Sequence, residues 1–234
     1  MENKESRTQI EREARCRLYP SLRDPNWLVL RKRREILQSW LSRLPSRNLR
    51  VLDVGGRIQP YRSLLEGRLD RYFALDMQTT HLVDIIGCGE QMPFAAGEFD
   101  FVICTQVLEY VGDPSQIIAE IYRVLKPGGQ LFLSAPSVFP RDSDFDSWRF
   151  LPNSLRMLLA GFREVEIVPE GSSISGLFRS ICVCLVLFAQ PVLLRGLLRF
   201  TLVPFLNITA AAMERLIPNF NDCFTANYSV WARK

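Results

Sequence analysis

Short apolar runs alternate with helical periods along most of the chain. The strand-like runs lie at 50–54, 71–76, 82–86, 99–104, 130–134, 162–168 and 227–232. Between the fourth and fifth runs, apolar positions recur at 117, 118, 121, 124 and 125 with the period of a helix. Strands that alternate with helices are typical of a mainly parallel sheet with right-handed crossovers. We therefore predict an α/β sandwich of three layers whose seven-stranded sheet is mostly parallel.

The first 49 residues precede this pattern and are predicted to form an N-terminal extension with a covering helix. Residues up to about 23 are polar and contain Pro20, so we expect irregular backbone there. Apolar positions from Trp27 to Leu44 then repeat with a helical period, and Pro45 ends the helix. Its basic run, 31–34, is expected on the solvated face, with anionic lipid or an acidic partner as the alternative. The remaining chain, 50–234, is predicted to be one domain.

A mostly apolar segment, 177–208, interrupts the strand pattern before the last run. We predict an apolar helical insertion at about 177–215. The longest uninterrupted apolar stretch, 181–189, is shorter than the ~20 residues that a spanning helix needs, which argues against a single span. Three alternatives remain open: buried helices packed on the sheet or in a homodimer, helices lying in a membrane surface, and a lid over a lipid-like substrate.

Composition narrows the function classes. The chain has 234 residues and a net charge of +4, which is too mild to indicate nucleic-acid binding. The six cysteines lack CxxC spacing and the first residues lack a signal-peptide pattern, so we expect a cytoplasmic protein, at the inner membrane face if 177–208 meets lipid. His81 is the only histidine, and we predict no metal site. No GxSxG turn presents a nucleophilic serine.

The first predicted strand ends in a glycine turn, Val51-Leu-Asp-Val-Gly-Gly56. In an open α/β sheet this turn lies at the carboxyl end of the strand, where such sheets bind ligands, and glycine lets backbone approach a bound molecule. Asp76 ends the second strand, where a carboxylate can accept hydrogen bonds from both hydroxyls of a ribose. The turn lacks GxGxxG, which argues against a nicotinamide dehydrogenase.

Taken in order, six segments resemble the S-adenosylmethionine-dependent methyltransferases of the Rossmann-like class, and most closely the type 11 methyltransferase domain. These segments are Val51–Gly55, Ala74–Asp76, Gly89–Phe94, Phe99–Cys104, Val107–Glu109 and Val124–Gly129. The resemblance covers about residues 50–170 and the last strand. It implies S-adenosylmethionine as the cofactor and methyl transfer to a small-molecule or lipid-linked acceptor.

The resemblance also implies a cofactor site at the ends of the first four strands. The turn would lie against the methionine part of the cofactor, the loop at 88–90 near adenine, and the residues after strand four at its border. Asp53 would orient the turn through backbone hydrogen bonds. The residues predicted to bind the cofactor are Asp53, Gly55, Gly56, Arg57, Asp76, Met77, Cys88, Gly89, Glu90, Thr105 and Gln106.

The acceptor pocket is expected in the loop after the fifth strand. Phe145, Trp148, Arg149 and Phe150 are its candidates, with core anchoring as the alternative for Trp148 and Phe150. No catalytic base is assigned, because aligning the acceptor with the methyl group supplies much of the rate and a base is needed only when the acceptor must lose a proton.

Four positions depart from the family pattern. Arg57 and Gln59 stand where the family has glycine, and Cys88 where an acid often contacts the adenine amine. Tyr110 replaces a histidine that often follows the acid kept here as Glu109. A catalytically degenerate methyltransferase fold that binds a membrane or a partner is therefore the alternative function.

Overall fold

A seven-stranded sheet runs through the centre of the computed structural model, which describes residues 6–141, 143–217 and 221–234. The strands are β1 (Leu49–Val54), β2 (Leu69–Asp76), β3 (Ile85–Ile86), β4 (Phe99–Thr105), β5 (Leu125–Pro136), β6 (Arg163–Pro169) and β7 (Asn227–Arg233). The helices are α1 (Arg7–Leu18), α2 (Trp27–Trp40), α3 (Pro114–Val124), α4 (Pro152–Leu158), α5 (Ser173–Phe188), α6 (Val192–Phe200) and α7 (Leu202–Leu216).

The strand order is β3-β2-β1-β4-β5-β7-β6, and only β7 runs antiparallel to its neighbours. The chain moves outward from β1 to β3 and then returns to β4 on the other side of β1. The carboxyl ends of β1 and β4 therefore border the point where the strand order reverses, which is where sheets of this kind bind ligands. The predicted fold class is confirmed.

The two faces of the sheet carry separate hydrophobic cores. Leu52 on β1 and Val102 on β4 belong to one core, whereas their neighbours Val51 and Phe101 belong to the other. Successive strand residues point to opposite faces, so strands covered on both sides need the near-continuous apolar runs seen in the sequence. Helix α3 covers the first face through Ile117 and other buried residues, and begins where the Asp113 carboxylate accepts from Ser115 N at 2.8 Å.

Residues 7–18 form α1, so the prediction of irregular backbone before residue 23 is wrong for this stretch. Ser6 caps the helix by accepting a hydrogen bond from Gln9 N at 3.2 Å. Only Ile10 and Leu18 are buried along it. Two inward apolar residues among many polar ones form too sparse a pattern to reveal a helical period.

The basic run on α2 is not wholly solvated, which corrects the expectation for residues 31–34. Arg33 is 2% exposed. It lies three residues from both Leu30 and Ile36, which are themselves buried, so helical geometry turns it inward with them.

Two predicted strand boundaries also differ in the structure. The third strand is reduced to Ile85–Ile86, and β5 begins at Leu125, before the predicted run at 130–134, so the Lys126-Pro-Gly-Gly129 segment lies within it. Gly128 there has φ +78°, a left-handed conformation that glycine adopts at little steric cost.

The apolar segment before β7 forms α5, α6 and α7. Helix α5 buries one face, whereas α6 has no buried residue among those described. With only Thr201 between them, α6 and α7 form a helical stretch, Val192–Leu216, that by length and composition alone could cross a membrane. The argument from length against a span considered only 181–189 and does not apply to this longer stretch. Apolar helices of soluble proteins can pass the same test, so this finding alone assigns no membrane topology.

We expect Trp40→Ala to lower the free energy of unfolding by about 3–5 kcal/mol, because it removes a buried aromatic ring between α2 and the sheet. The Trp40 ring lies 6.1 Å from Phe132 and 5.7 Å from Trp231, measured between ring centroids. Urea unfolding monitored by circular dichroism measures the change. Gln38→Ala, at an exposed position of the same helix, is the control and should stay within about 0.5 kcal/mol. Equal effects of the two substitutions would contradict this packing.

Candidate functional site

The glycine turn is held against the end of β2 by backbone hydrogen bonds. Gly55 N and Gly56 N donate to Leu75 O at 2.8 and 3.2 Å. Gly55 has φ +76°, and a Cβ there would overlap the Val107 side chain. Glycine is therefore required both by the backbone conformation and by the close approach of the loop after β4.

The Asp76 carboxylate is fixed at the carboxyl end of β2, beside this turn. Its Oδ2 accepts from Arg57 N at 3.1 Å and its Oδ1 from Gln78 N at 2.8 Å. A carboxylate has about four lone-pair sites, so these two bonds orient the group and leave further acceptor capacity. Met77, the next residue, is 76% exposed.

The two non-glycine residues of the turn make specific contacts. Gln59 has φ +46°, and its largely buried amide donates to Leu82 O and accepts from Arg62 Nη1. Arg57 Nη2 lies 2.6 Å from a Glu13 carboxylate oxygen, which brings α1 to the turn. A non-glycine residue in the left-handed region is strained by about 1–3 kcal/mol, and the Gln59 hydrogen bonds oppose that strain.

The loop at 88–90 lies beside the end of β1. A Cβ on Gly89 would come within 3.0 Å of Ile117 Cδ1 and 3.3 Å of Val54 Cγ1, so this glycine permits a close approach to α3 and β1. Cys88 and Glu90 on either side are half-buried. This loop, the turn and Asp76 are thus neighbours at the carboxyl edge of the sheet.

Asp53 is buried, with 3% of its surface exposed. Its Oδ2 accepts a hydrogen bond from the Tyr72 hydroxyl at 2.6 Å, a partner different from the backbone N–H groups expected from the sequence. Burial raises the pKa of Asp53 to about 7, although the bond from Tyr72 opposes the rise.

The residues after β4 lead from the turn to a second group of polar side chains. Thr105 ends β4, and Gln106 follows it with φ +55°. The side-chain amides of Gln106 and Asn227 lie 3.2 Å apart. Glu109 is 3% exposed, its Oε2 has no hydrogen-bond partner, and burial raises its pKa to about 7. This segment therefore carries buried polar groups in the direction of β5 and β7.

The four acceptor-pocket candidates do not converge in the structure. Phe150 belongs to the main hydrophobic core, whereas Phe145 is 78% exposed. Trp148 Nε1 donates to Val111 O at 2.8 Å. Arg149 Nε donates to Phe139 O at 3.1 Å, and its guanidinium pairs with Asp146. Trp148 and Arg149 thus hold the loop after β5 in place. The hydrogen bond of Trp148 connects this loop to the segment after β4.

A buried ion pair next to this loop was not predicted from the sequence. Arg33 Nε lies 2.9 and 3.0 Å from the two carboxylate oxygens of Glu170. Glu170 also accepts from the hydroxyls of Ser134 and Ser229 at 2.6 and 2.7 Å. Arg179 on α5 is a second arginine with 2% exposure. Both arginines lie on the apolar stripes of their helices, which is the signal in the sequence that could have revealed them.

The sequence model of the methyltransferase domain family matches residues 52–133, which run from β1 through β5 and include the turn, Asp76 and the loop at 88–90. Within these residues the chain matches the methyltransferase domain family, as its resemblance to the type 11 class predicts.

Curated relatives share only a short segment with this methyltransferase domain. A ubiquinone biosynthesis O-methyltransferase of Pseudomonas aeruginosa is 46% identical over 52 residues, which make up 22% of this chain and 21% of that protein. The chain thus spans about a fifth of the length of the curated relatives it matches. This short match supports the family relationship but does not identify the methyl acceptor.

Solved structures match the fold over most of the chain. The phosphoethanolamine N-methyltransferase 2 of Haemonchus contortus, in complex with S-adenosyl-L-methionine, gives a TM-score of 0.54 at 16% identity and covers 94% of this chain and 60% of that one. The [4+2]-cyclase SpnF gives 0.54 at 18% identity, covering 89% and 82%. At such identities the likeness shows the fold alone.

The predicted family and Rossmann-like fold are therefore confirmed, and S-adenosylmethionine is the cofactor of that family. In the part of the chain that the structure describes, no group of three or more histidine, cysteine or acidic side chains could hold a metal ion.

We expect the wild-type protein to lose stability between pH 5 and 8 more steeply than Asp53→Asn. The folded chain holds the Asp53 proton up to about pH 7, whereas an unfolded aspartate releases it near 3.8. Rising pH therefore favours the unfolded state over this window, by about 2–3 kcal/mol for this one group. Urea unfolding at each pH measures the slope.

The asparagine side chain keeps an acceptor for the Tyr72 hydroxyl, and Glu109 titrates in both proteins. The difference between their slopes of unfolding free energy against pH therefore reports the titration of Asp53 alone. Parallel pH profiles of the two proteins would show that the Asp53 carboxyl is not protonated in the fold.

Proposed function

We propose that this protein transfers a methyl group from S-adenosylmethionine to a small-molecule or lipid-linked acceptor. The observation that carries the proposal is the grouping of the glycine turn, the oriented Asp76 carboxylate and the loop at 88–90 at the carboxyl ends of β1 and β2. These are the elements that the sequence assigns to the methionine, ribose and adenine parts of the cofactor, and the family match covers all three.

The residues present fit the cofactor. Asp76 retains acceptor capacity beyond its bonds from Arg57 N and Gln78 N, as a bidentate contact with ribose hydroxyls requires. When bound, the cofactor supplies an electrophilic methyl group. The remaining candidates, Asp53, Gly55, Gly56, Arg57, Met77, Cys88, Gly89, Glu90, Thr105 and Gln106, are proposed to line the same site.

The chain's own contribution to the reaction is alignment and exclusion of water. Val107, just after β4, packs against Gly55 of the turn, and the Gln106 amide beside it lies 3.2 Å from that of Asn227. An acceptor held beside these groups would therefore lie next to the turn. Holding two reactants in this arrangement replaces an encounter in solution by a step within one complex. We propose the acceptor on this side, with Trp148 and Arg149 holding the loop that covers it.

Asp76→Ala should weaken binding of S-adenosylmethionine and S-adenosylhomocysteine about tenfold or more, because it removes a charge-assisted pair of hydrogen bonds to the ribose. Isothermal titration calorimetry of the full chain measures both affinities. The matched control is Asp70→Ala, at an exposed position of the same strand near its opposite end, and should leave them unchanged.

Absence of binding of either compound to the wild-type chain would refute the proposed function. Equal affinities of wild type and Asp76→Ala would show instead that the cofactor binds elsewhere on the molecule.

We further propose that residues 1–49 form a covering extension on a domain at 50–234, and that the helical insertion of this domain meets an anionic membrane surface. Helix α6 exposes large apolar side chains, with Leu193 and Leu197 88% and 59% exposed. From Gly171 to Met213 the chain contains no aspartate or glutamate, whereas Arg195 and Arg199 lie on α6. An apolar surface with basic and no acidic residues complements anionic head groups over an acyl layer.

A groove beside this surface has a chemistry suited to a lipid chain. It has a volume of about 490 Å³ and lies between α5 and α6. Apolar side chains make up most of its walls, among them Ile181, Leu185, Phe188, Leu194 and Leu198. This groove supports a lipid-linked acceptor over a wholly polar one. Together with the exposed apolar face of α6, it supports the proposal that the protein acts at the inner face of a membrane.

The double substitution Leu193→Glu with Leu197→Glu should abolish co-sedimentation with vesicles that contain phosphatidylglycerol. Two buried charges at the acyl boundary oppose insertion. The matched control is Leu151→Glu with Met157→Glu, because those apolar side chains are 62% and 79% exposed but lie outside the insertion. Unchanged sedimentation of the α6 variant would contradict the membrane surface, and a wild-type dimer that this variant dissociates would assign the face to a second copy.

A further inference from the structure

Arg179 is a buried cation without an anionic partner. Its side chain is 2% exposed, and no carboxylate in the described ranges forms an ion pair with it. Its Nε donates to Asn26 Oδ1 at 2.9 Å, and Nη1 lies 3.5 Å from Val138 O. Its Cζ lies 3.9 Å above the centre of the Phe139 ring. A guanidinium has five N–H donors, so most of its hydrogen-bonding capacity is unused.

Such a group is energetically unfavourable in the absence of an anion. Burial, together with the nearby charge of Arg33, lowers the pKa of Arg179 to about 9, so the interior opposes its charge. Arg33 differs from it, because Glu170 neutralises Arg33 directly. The carboxylates of Asp24 and Glu170 oppose this lowering of the pKa of Arg179, but neither forms an ion pair with it, so the guanidinium remains a buried charge without a direct counter-ion.

The location of this charge connects it to the proposed methyl-donor site. The Val107 side chain packs directly against Gly55. The side-chain amide of Gln106, the residue before Val107, lies 3.2 Å from the side-chain amide of Asn227. Arg33 Nη2 lies 2.5 Å from the same Asn227 amide. Ala226 O, next to Asn227, accepts a hydrogen bond from Val138 N at 3.2 Å, and Val138 O lies 3.5 Å from Arg179 Nη1. The loop after β5 therefore joins Arg179 to the polar side chains around Asn227.

We propose that Arg179 binds an anionic group of the acceptor, a carboxylate or a phosphate, in the polar cluster beside the glycine turn. This proposal rests on the proposed function only in taking the anion to be part of the acceptor. An oxyanion would accept hydrogen bonds from the unused guanidinium N–H groups and neutralise the buried charge. Glu109 Oε2, which has no hydrogen-bond partner, offers the cluster an additional polar contact for the rest of the ligand.

A purely structural role is the competing explanation. Arg179 stacks on Phe139 and joins α5 to the start of α2 through Asn26, so its loss could act through packing alone. A structural arginine would not make the protein bind anions in preference to neutral molecules of the same shape. Binding of charged and uncharged probes therefore separates the two roles.

The test is a calorimetric titration of the full chain with inorganic phosphate, benzoate and neutral benzamide, with and without S-adenosylhomocysteine. We expect saturable binding of at least one of the two anions and none of benzamide. Arg179→Gln should weaken anion binding about tenfold or more, whereas Arg179→Lys should retain part of it. Arg156→Gln, at an exposed arginine of α4, should leave it unchanged. Phosphate binding without benzoate binding would assign a phosphate, and the reverse a carboxylate.

Absence of saturable anion binding by the wild-type chain overturns the inference, whatever the fold of the variants. Equal anion binding by wild type and a folded Arg179→Gln overturns it as well. If Arg179→Gln does not fold, Arg179→Lys decides, because binding of the same anion as tightly as by the wild type would overturn the inference. Anion binding by a chain that binds no S-adenosylhomocysteine would refute the proposed function alone, so the two failures are distinguishable.

Discussion

The arrangement of α2 against the ends of β5, β6 and β7 depends on one interaction, the buried ion pair between Arg33 and Glu170. Glu170 is fully buried, follows β6 and accepts hydrogen bonds from Ser134 on β5 and Ser229 on β7. Arg33 brings α2 to the same point. One carboxylate thus joins α2 to the three strands β5, β6 and β7. Removing one partner of such a pair leaves an uncompensated charge and costs about 3–5 kcal/mol.

This ion pair also explains why the two parts of the candidate site differ in character. At the end of β1, backbone shape dominates: Gly55 and Gly56 bring the chain close to β2, and Asp76 is oriented by backbone N–H groups. At the ends of β5 and β7, the site is built from buried side chains whose charges must be matched. Arg33 is matched by Glu170, whereas Arg179 is not. The first part fits a nucleotide-like cofactor, and the second is the part that we propose holds the acceptor.

The sheet and the turn could be predicted because their signals are local. Continuous apolar runs identify strands buried on both faces, and the Gly55-Gly56 turn followed by Asp76 identifies the switch point. The buried arginines could not be predicted with the same ease, because a basic run such as 31–34 is usually solvated. Only the position of Arg33 on the apolar stripe of α2 signals that it is buried. Its partner Glu170 is 137 residues away, and no local pattern connects the two. Helix α1 was missed for a different reason, since only two of its residues face inward.

The central claim is that the turn at Gly55-Gly56 and the carboxylate of Asp76 hold S-adenosylmethionine at the carboxyl end of β1. A crystal structure with S-adenosylhomocysteine bound measures this directly. The account predicts both ribose hydroxyls within hydrogen-bonding distance of the Asp76 carboxylate, the methionine part against Gly55, and adenine beside Gly89. Cofactor density at any other place on the sheet, or ribose hydroxyls that do not contact Asp76, would contradict it.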